Sequence, residues 1–542
     1  MADFGEILRT IGDYGLFQKL LITGLCLPSL ILPMHLYSVM FTHSSSSHHC
    51  NTDWILEVSP NLTTEEQLNL TLPRDQDGSF KRCEMYTPVA WDIDSIRKYG
   101  INQTITCKDG WVYDTSVYRA TIVSDFDLVC EKANFVGVAQ TLFMGGILAG
   151  SLIFGPLAES LGRKRAAQIP MVLMAVFTVG TALSPNFYLY IAAQFVVGVS
   201  YGGYRLNCIV LATEWIGITR RTYPSALIQF LSGAGQVVLA GIAYYIRDWR
   251  KVQFVIASPV ILVLFYIWLL PESARWLLDS GKTEEAKKLI LMAARINKRK
   301  VPDNILEKVS NKKKGERGTI VDLFTSPLLR KYFLTLAFSW FSLNLSYYCL
   351  TLNVGKFGMD IFLTQLIFGV VEMPAQLLCI WLLEALGRKI TVVFTLLVGG
   401  FICLLILAVP QDNAIAITVL AAAGRFFMNS AGTICNVYIQ ELFPTSIRQT
   451  ANGLGAMATR VAGMLSPVLN MLAVYHWTIP ILVYSGLSIA GGAMCIILPE
   501  TRRKELPDST EELERKLCAS LTQNDASQLS GVKHQSLRDT KL

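Results

Sequence analysis

The sequence predicts an all-helical, multi-pass membrane protein made of two halves of six spans each. Three observations carry that prediction. The 542 residues are 52% hydrophobic and only 16% charged, with a mean hydropathy of +0.40, whereas soluble domains carry about 25% charged residues. Apolar runs of about 20 residues recur, each long enough to cross ~30 Å of hydrocarbon as a helix. Three short polar signatures of the first half return in the second at a near-constant spacing. The formal charge of +7 says little about nucleic acid, because the basic residues concentrate in one segment.

Taken in order, residues 1–16 precede the first span, 17–41. The opening "MADFGEILRTIGDYGLFQ" lacks a basic n-region and a small-residue cleavage site, so the first span is expected to serve as its own membrane signal. A polar loop, 42–135, follows. Residues 136–271 hold five spans: 136–158, 166–185, 187–213, 224–246 and 252–271. A basic segment, 272–331, separates them from six more in 332–498: 332–352, 361–383, 390–409, 415–439, 450–474 and 478–498. Residues 499–542 form a polar tail of the kind that stays disordered.

Lys and Arg in short loops set orientation. "GRKR" (162–165), "TRR" (219–221), "GRK" (387–389) and Arg448 fall on one side with 272–331. That side is read as cytoplasmic, with both termini on it. "RDWRK" (247–251) dissents: it should lie outside, yet is basic. The 42–135 loop supports the assignment with three glycosylation sequons, at Asn61, Asn69 and Asn102, and four cysteines, Cys50, Cys83, Cys107 and Cys130. An even cysteine count in an extracellular loop fits two disulfides, with three connectivities open. "NLS" at Asn344 is also a sequon, but it lies inside a span.

The repeat is specific. "LAESLGRKR" returns as "LLEALGRKI", "TEWIGITRR" as "QELFPTSIR" and "LPESARW" as "LPETRRK". Gly162 and Gly387, Glu214 and Glu441, and Glu272 and Glu500 are separated by 225, 227 and 228 residues. Two six-helix halves related by a parallel repeat describe the major facilitator fold, in which substrate binds at the midplane between halves. Glu159 with Arg163, and Glu384 with Arg388, read as acid–base pairs at the membrane edge that latch helix ends in one access state. Glu214 with Arg221 and Glu441 with Arg448 repeat the pattern. Plain positive-inside anchoring is the simpler reading of the same charges.

Over essentially its whole length the chain resembles the organic anion/cation transporters, solute carrier family 22. The resemblance rests on the cysteine-bearing first loop ending "DFDLVC" (125–130), and on "RDWR" (247–250), "PESARWLL" (271–278) and "ELFPTSIRQT" (441–450). The loop pattern "CNTDWIL…EQLNLTLP…GSF" looks most like the organic anion branch that holds a nicotinate/urate exchanger and a sperm riboflavin transporter. The resemblance implies a base at Arg460 in organic anion and carnitine-type members and an acid there in cation members. Arg460 sits inside "GLGAMATRVAGMLSPVLNML", where a charge is costly. Its planar fork suits a carboxylate. Gly453, Ala456 and Gly463 on that face leave room for a ligand or for a close helix.

Other positions depart from the anion pattern. Anion members usually carry a base where Gln376 stands, four residues after Glu372. Arg205, in "GGYRLNC", falls inside the fourth span; it either replaces that base or pairs with a neighbouring acid. Arg425, in "AAGRFFMN", matches a family base with a structural, gating or ligand role. Trp340, Asn344, Tyr347 and Tyr348 recur at i, i+4, i+7 and i+8. The resemblance places the two tyrosines and Phe230 in the central cavity, with His35 a weaker candidate. Flat rings give contact area for planar organic ions.

The expected function is plasma-membrane transport of small organic anions by alternating access, as a uniporter or an antiporter with an exchanged counter-anion. The alternatives are a cation or zwitterion carrier using Glu372 and cation–π contacts, and a transport-dead receptor. No P-loop, metal-ligand cluster or nucleophile–base motif is present, so no enzyme activity, metal, cofactor or nucleic-acid partner is expected. Membrane lipid is an obligate partner. "TEEAKKLILMAARINKRK" (283–300) reads as amphipathic helix, and the final "TKL" as a possible PDZ ligand.

Overall fold

The computed structural model describes residues 4–12, 14–75, 78–216, 222–302, 320–353, 359–410, 412–443 and 447–501. The long helices run α1 (Leu16–Thr42), α2 (Asn134–Leu161), α3 (Arg163–Leu183), α4 (Phe187–Glu214), α5 (Thr222–Ile246) and α6 (Trp249–Ile267). They continue with α7 (Pro327–Leu352), α8 (Ile361–Leu386), α9 (Arg388–Leu405), α10 (Ala414–Leu442), α11 (Arg448–Met471) and α12 (Thr478–Cys495). Ten stretches of the described residues are long and apolar enough to cross a membrane; α6 and α8 are two further long helices. A long helix stands at each of the twelve expected positions.

Boundaries moved where local chemistry overrode hydropathy. α1 comes as two helices, Leu16–Cys26 and Pro28–Thr42, because Pro28 has no N–H to donate back across the junction. α6 starts at Trp249 rather than 252, because the Asp248 carboxylate accepts from Arg250 N at 3.0 Å. That acid caps the orphan N–H groups of the first turn, so charges read as loop belong to a helix start.

Contacts group the chain into two compact units: Asp13–Trp276 with Leu352–Val370, and Met1–Gly12 with Leu277–Thr351 and Val371–Leu542. In the first, α2 and α4 touch backbone to backbone. A Cβ on Gly146 or Gly150 would strike the carbonyls of Phe195 and Val199, and one on Gly198 or Gly202 those of Phe143 and Ile147. Paired small-residue stripes let helices approach this closely where lipid gives no hydrophobic drive.

The same unit holds the 43–133 loop. Strand β1 (His48–Cys50) pairs antiparallel with β4 (Trp111–Tyr113), and β2 (Glu84–Tyr86) with β3 (Thr104–Thr106). The disulfides are Cys50–Cys107 and Cys83–Cys130, which resolves the connectivity. The loop is clasped to the bundle through two family motifs that are far apart in sequence. Asp125 accepts from Trp249 Nε1 at 2.9 Å and from Arg250 Nε at 3.2 Å. Arg250 Nη1 donates to the carbonyls of Ala182 and Ser184, and Arg247 Nη1 to that of Ser116. The dissenting basic cluster is thus engaged in structural contacts.

In the second unit, serines staple α7 to α12: Ser339 Oγ donates to Gly491 O at 3.1 Å and Ser346 Oγ to Tyr484 O at 3.0 Å. The helix Thr283–Ile296 buries Ala286, Ile290, Ala293 and Ala294. It packs near the N-terminal helix Phe4–Ile11, and Asn297 Nδ2 donates to Ile11 O at 3.1 Å. The amphipathic stripe therefore meets protein. Asp125→Ala strips Arg250 and Trp249 of their shared acceptor. It should cost about 1–3 kcal/mol, read as a lower unfolding midpoint of the purified protein in detergent. Glu131→Ala, four residues past Asp127 and outside this clasp, should leave the midpoint in place.

Candidate functional site

The repeated loops build the same constellation twice, once in each unit. Gly162 and Gly387 adopt φ of +101° and +93°, a region that favours glycine. In each case a Cβ would run into a carboxylate, that of Glu272 or of Glu500. Glu272 Oε1 accepts from Lys164 N and Ser273 N, both at 2.9 Å. Glu500 accepts from Arg388 N and Lys389 N, both at 3.0 Å. Each acid satisfies orphan donors at the start of α3 or α9 and favours the positive end of the helix dipole.

The arginine partners differ from expectation. Arg163 Nε reaches Glu214 Oε1 at 3.4 Å, and Arg388 grips Glu441 through two bonds of 2.8 Å. Both arginines thus reach across to the end of α4 or α10, where the sequence reading paired them with Glu159 and Glu384 in their own loops. The reason is geometric: each base opens a new helix beyond a turning glycine and is swung toward its neighbour. Glu159 contributes its backbone carbonyl, which accepts from Trp276 Nε1 at 2.9 Å. Arg221 and the side chains of Glu384, Arg448 and Gln376 lie outside the described residues.

At mid-bundle in the second unit, Glu372, Arg425 and Tyr347 form one cluster. Arg425 donates to Glu372 Oε1 from Nη2 at 2.8 Å and from Nε at 3.2 Å. Tyr347 OH donates to the same oxygen and accepts from Arg425 Nη2 at 2.8 Å. The guanidinium also lies 4.7 Å from the Tyr347 ring centroid, a cation–π contact. The Arg425 and Glu372 side chains are only 1% and 5% exposed. Tyr348 meets Tyr347 edge-on at 5.4 Å. The expected four-residue face of α7 does not hold as a unit. Trp340 is buried in the core against Gly455, and Asn344 Nδ2 bonds back to Trp340 O.

Arg460 is half-buried at the middle of α11. Only 28% of the apolar window of that span is buried, the lowest share among the ten, and Gly453 borders open space. In the other unit Arg205 is half-buried on α4 and donates from Nη1 to Tyr201 OH at 2.9 Å. Phe230 on α5 is partly exposed. His35 is fully buried, with Nδ1–H on Ile31 O of its own helix.

Sequence reasoning missed one contact set in the first unit. Phe362, at the start of α8, lies against Phe41, Tyr118 and Tyr244, with centroids 5.4–5.8 Å apart. One turn on, Gln236 Nε2 donates to Gln365 Oε1 at 2.5 Å, both fully buried. Two glutamines inside apolar runs were the available signal.

Residues 97–513 match the family model for "Sugar (and other) transporter". Over 92% of this chain the fold is similar to that of the proton:xylose symporter XylE, with a TM-score of 0.61 at 17% identity and 98% of that chain covered. Its inward-open form from E. coli gives 0.58 at 16% identity, covering 92% of this chain and 99% of that one. Fold and repeated constellation define a major facilitator transporter.

Within that class, human solute carrier family 22 member 13 is 39% identical over 95% of this chain and 94% of its own. Human member 14 is 34% identical over 93% and 87%, and member 6 of Oryctolagus cuniculus 34% over 94% of each. The chain belongs to solute carrier family 22, a family of transporters and not of enzymes.

Two outcomes follow. A double-mutant cycle on Arg388 and Glu441 should return a coupling of about 1–2 kcal/mol in thermal unfolding. Glu372→Leu alone strands a buried guanidinium and should cost about 3–5 kcal/mol, whereas Glu372→Leu with Arg425→Leu should recover most of that loss.

Proposed function

We propose that this protein is a plasma-membrane carrier of small organic anions, working by alternating access as a uniporter or an anion exchanger. Its Lys/Arg-rich loops and both termini face the cytoplasm, and the 43–133 loop faces outside, glycosylated at Asn61, Asn69 and Asn102, which are all exposed. The charge inventory away from the helix ends supports the anion reading. There the twelve helices hold three arginines, Arg205, Arg425 and Arg460, against a single acid, Glu372. That acid is taken by Arg425 and Tyr347. As a sequence inventory, bases inside the spans outnumber acids, which suits a carrier of anions better than one of cations.

The roles follow from placement. Arg460, on the least buried of the ten apolar stretches, is the base that meets the carboxylate of the substrate, forking onto both oxygens. Tyr348 and Phe230 offer ring faces to a planar organic body. Arg205, held by Tyr201, contributes the second positive charge in place of the base absent at Gln376. Glu372, engaged by Arg425, is a poor site for a cation. The Glu272 and Glu500 constellations tie helix ends on the cytoplasmic side and rearrange as access alternates.

Uptake of radiolabelled anions, cations and zwitterions into transfected cells tests this. Nicotinate-, urate- or p-aminohippurate-like anions should enter. Arg460→Asp should cut that uptake at least about tenfold, the value of one lost charge-assisted bond, with Arg205→Ala lowering it less. Unchanged anion uptake with a gain of cation uptake in Arg460→Asp would replace this reading with the cation carrier. No uptake of any class by wild-type protein at the cell surface would leave the receptor.

A further inference from the structure

On the Lys/Arg-rich side of the first unit, α3 and the end of α6 enclose a groove of 330 Å³ lined by Arg165, Gln168, Ile169, Val172, Leu173 and Trp268. Its walls are almost entirely carbon, and its few polar groups are already used. Gln168 is 5% exposed and donates from Nε2 to Ile267 O, an orphan carbonyl at the end of α6. The carbonyl of Trp268 accepts from Lys164 Nζ at 2.8 Å. Arg165 is the exception. It is exposed and forms no ion pair or hydrogen bond among the described residues. An apolar slot with one unpaired guanidinium at its mouth has the polarity of a two-part guest, with a hydrocarbon tail and an anionic head.

We infer that this groove binds an anionic phospholipid of the leaflet that bears the Lys/Arg-rich loops. One acyl chain lies along Ile169, Val172 and Leu173, and the phosphate sits on Arg165. The groove continues into the apolar outer face of α3, where Val176 is 60% exposed, so a lipid reaches it without crossing protein. Trp268, 59% exposed, stands at head-group level, where tryptophan is favoured. Anionic lipid is selected over zwitterionic because a basic residue near an anionic surface contributes attraction that a zwitterion does not. The bound lipid bridges α3 to α6 and steadies the start of α3, which carries Arg163.

The full-length purified protein, in nanodiscs of phosphatidylcholine with or without phosphatidylserine, provides the test. Native mass spectrometry would count retained lipids, and thermal unfolding would report their effect. Phosphatidylserine should be retained in preference and raise the midpoint. Arg165→Gln should weaken retention about fivefold, the factor expected for one basic residue, and Arg165→Lys should restore most of it. Val172→Phe fills the slot without touching charge and should also reduce retention. Equal retention of the two lipids by wild-type protein, or unaltered retention in Arg165→Gln, overturns the assignment. So does displacement by soluble glycerophosphoserine at concentrations matching the lipid, which would reduce the groove to a simple anion site.

Discussion

A carboxylate seated on the first N–H groups of a helix, built twice, is the contact on which this architecture turns. Glu272 and Glu500 each do three things at once. They satisfy donors that a membrane-edge helix start would leave unpaired. They occupy the space that forces glycine at positions 162 and 387. They also hold Arg163 and Arg388, the adjoining bases, where these reach Glu214 and Glu441. A turn that tight, closed by a carboxylate on backbone donors, fixes where α3 and α9 begin.

The same rule, that charge in a low-dielectric bundle must be answered, orders the mid-membrane residues. Arg425 and Glu372 answer each other, and Tyr347 spends its hydroxyl on both. That cluster rigidifies the unit formed by α7, α10 and the inner part of α8.

Outside the bundle, the 43–133 loop has little core of its own, centred on Cys50, Leu72 and Met85, and relies on two disulfides. A second cluster around Ile122, Leu128, Tyr190 and Trp249 fastens it to the helices. The DFD and RDWR motifs, more than a hundred residues apart, are two sides of one joint through Asp125, Trp249 and Arg250. The basic cluster at 247–251 is thereby accounted for by its partners.

Much was legible in the sequence. The helical membrane class, the repeat, the loop cysteines and the arginines inside apolar runs all follow from composition, periodicity and spacing, because a bilayer admits only helices of a certain length and makes each charge conspicuous. Tertiary structure alone decided the partners. Cys50 joins Cys107, Arg163 and Arg388 turn to the ends of α4 and α10, Trp340 goes into the core, and Glu372 is claimed by Arg425. Linear spacing constrains which residues share a helix face. Which faces meet is fixed by packing between helices, where glycine stripes and serine staples of little sequence contrast choose the neighbours.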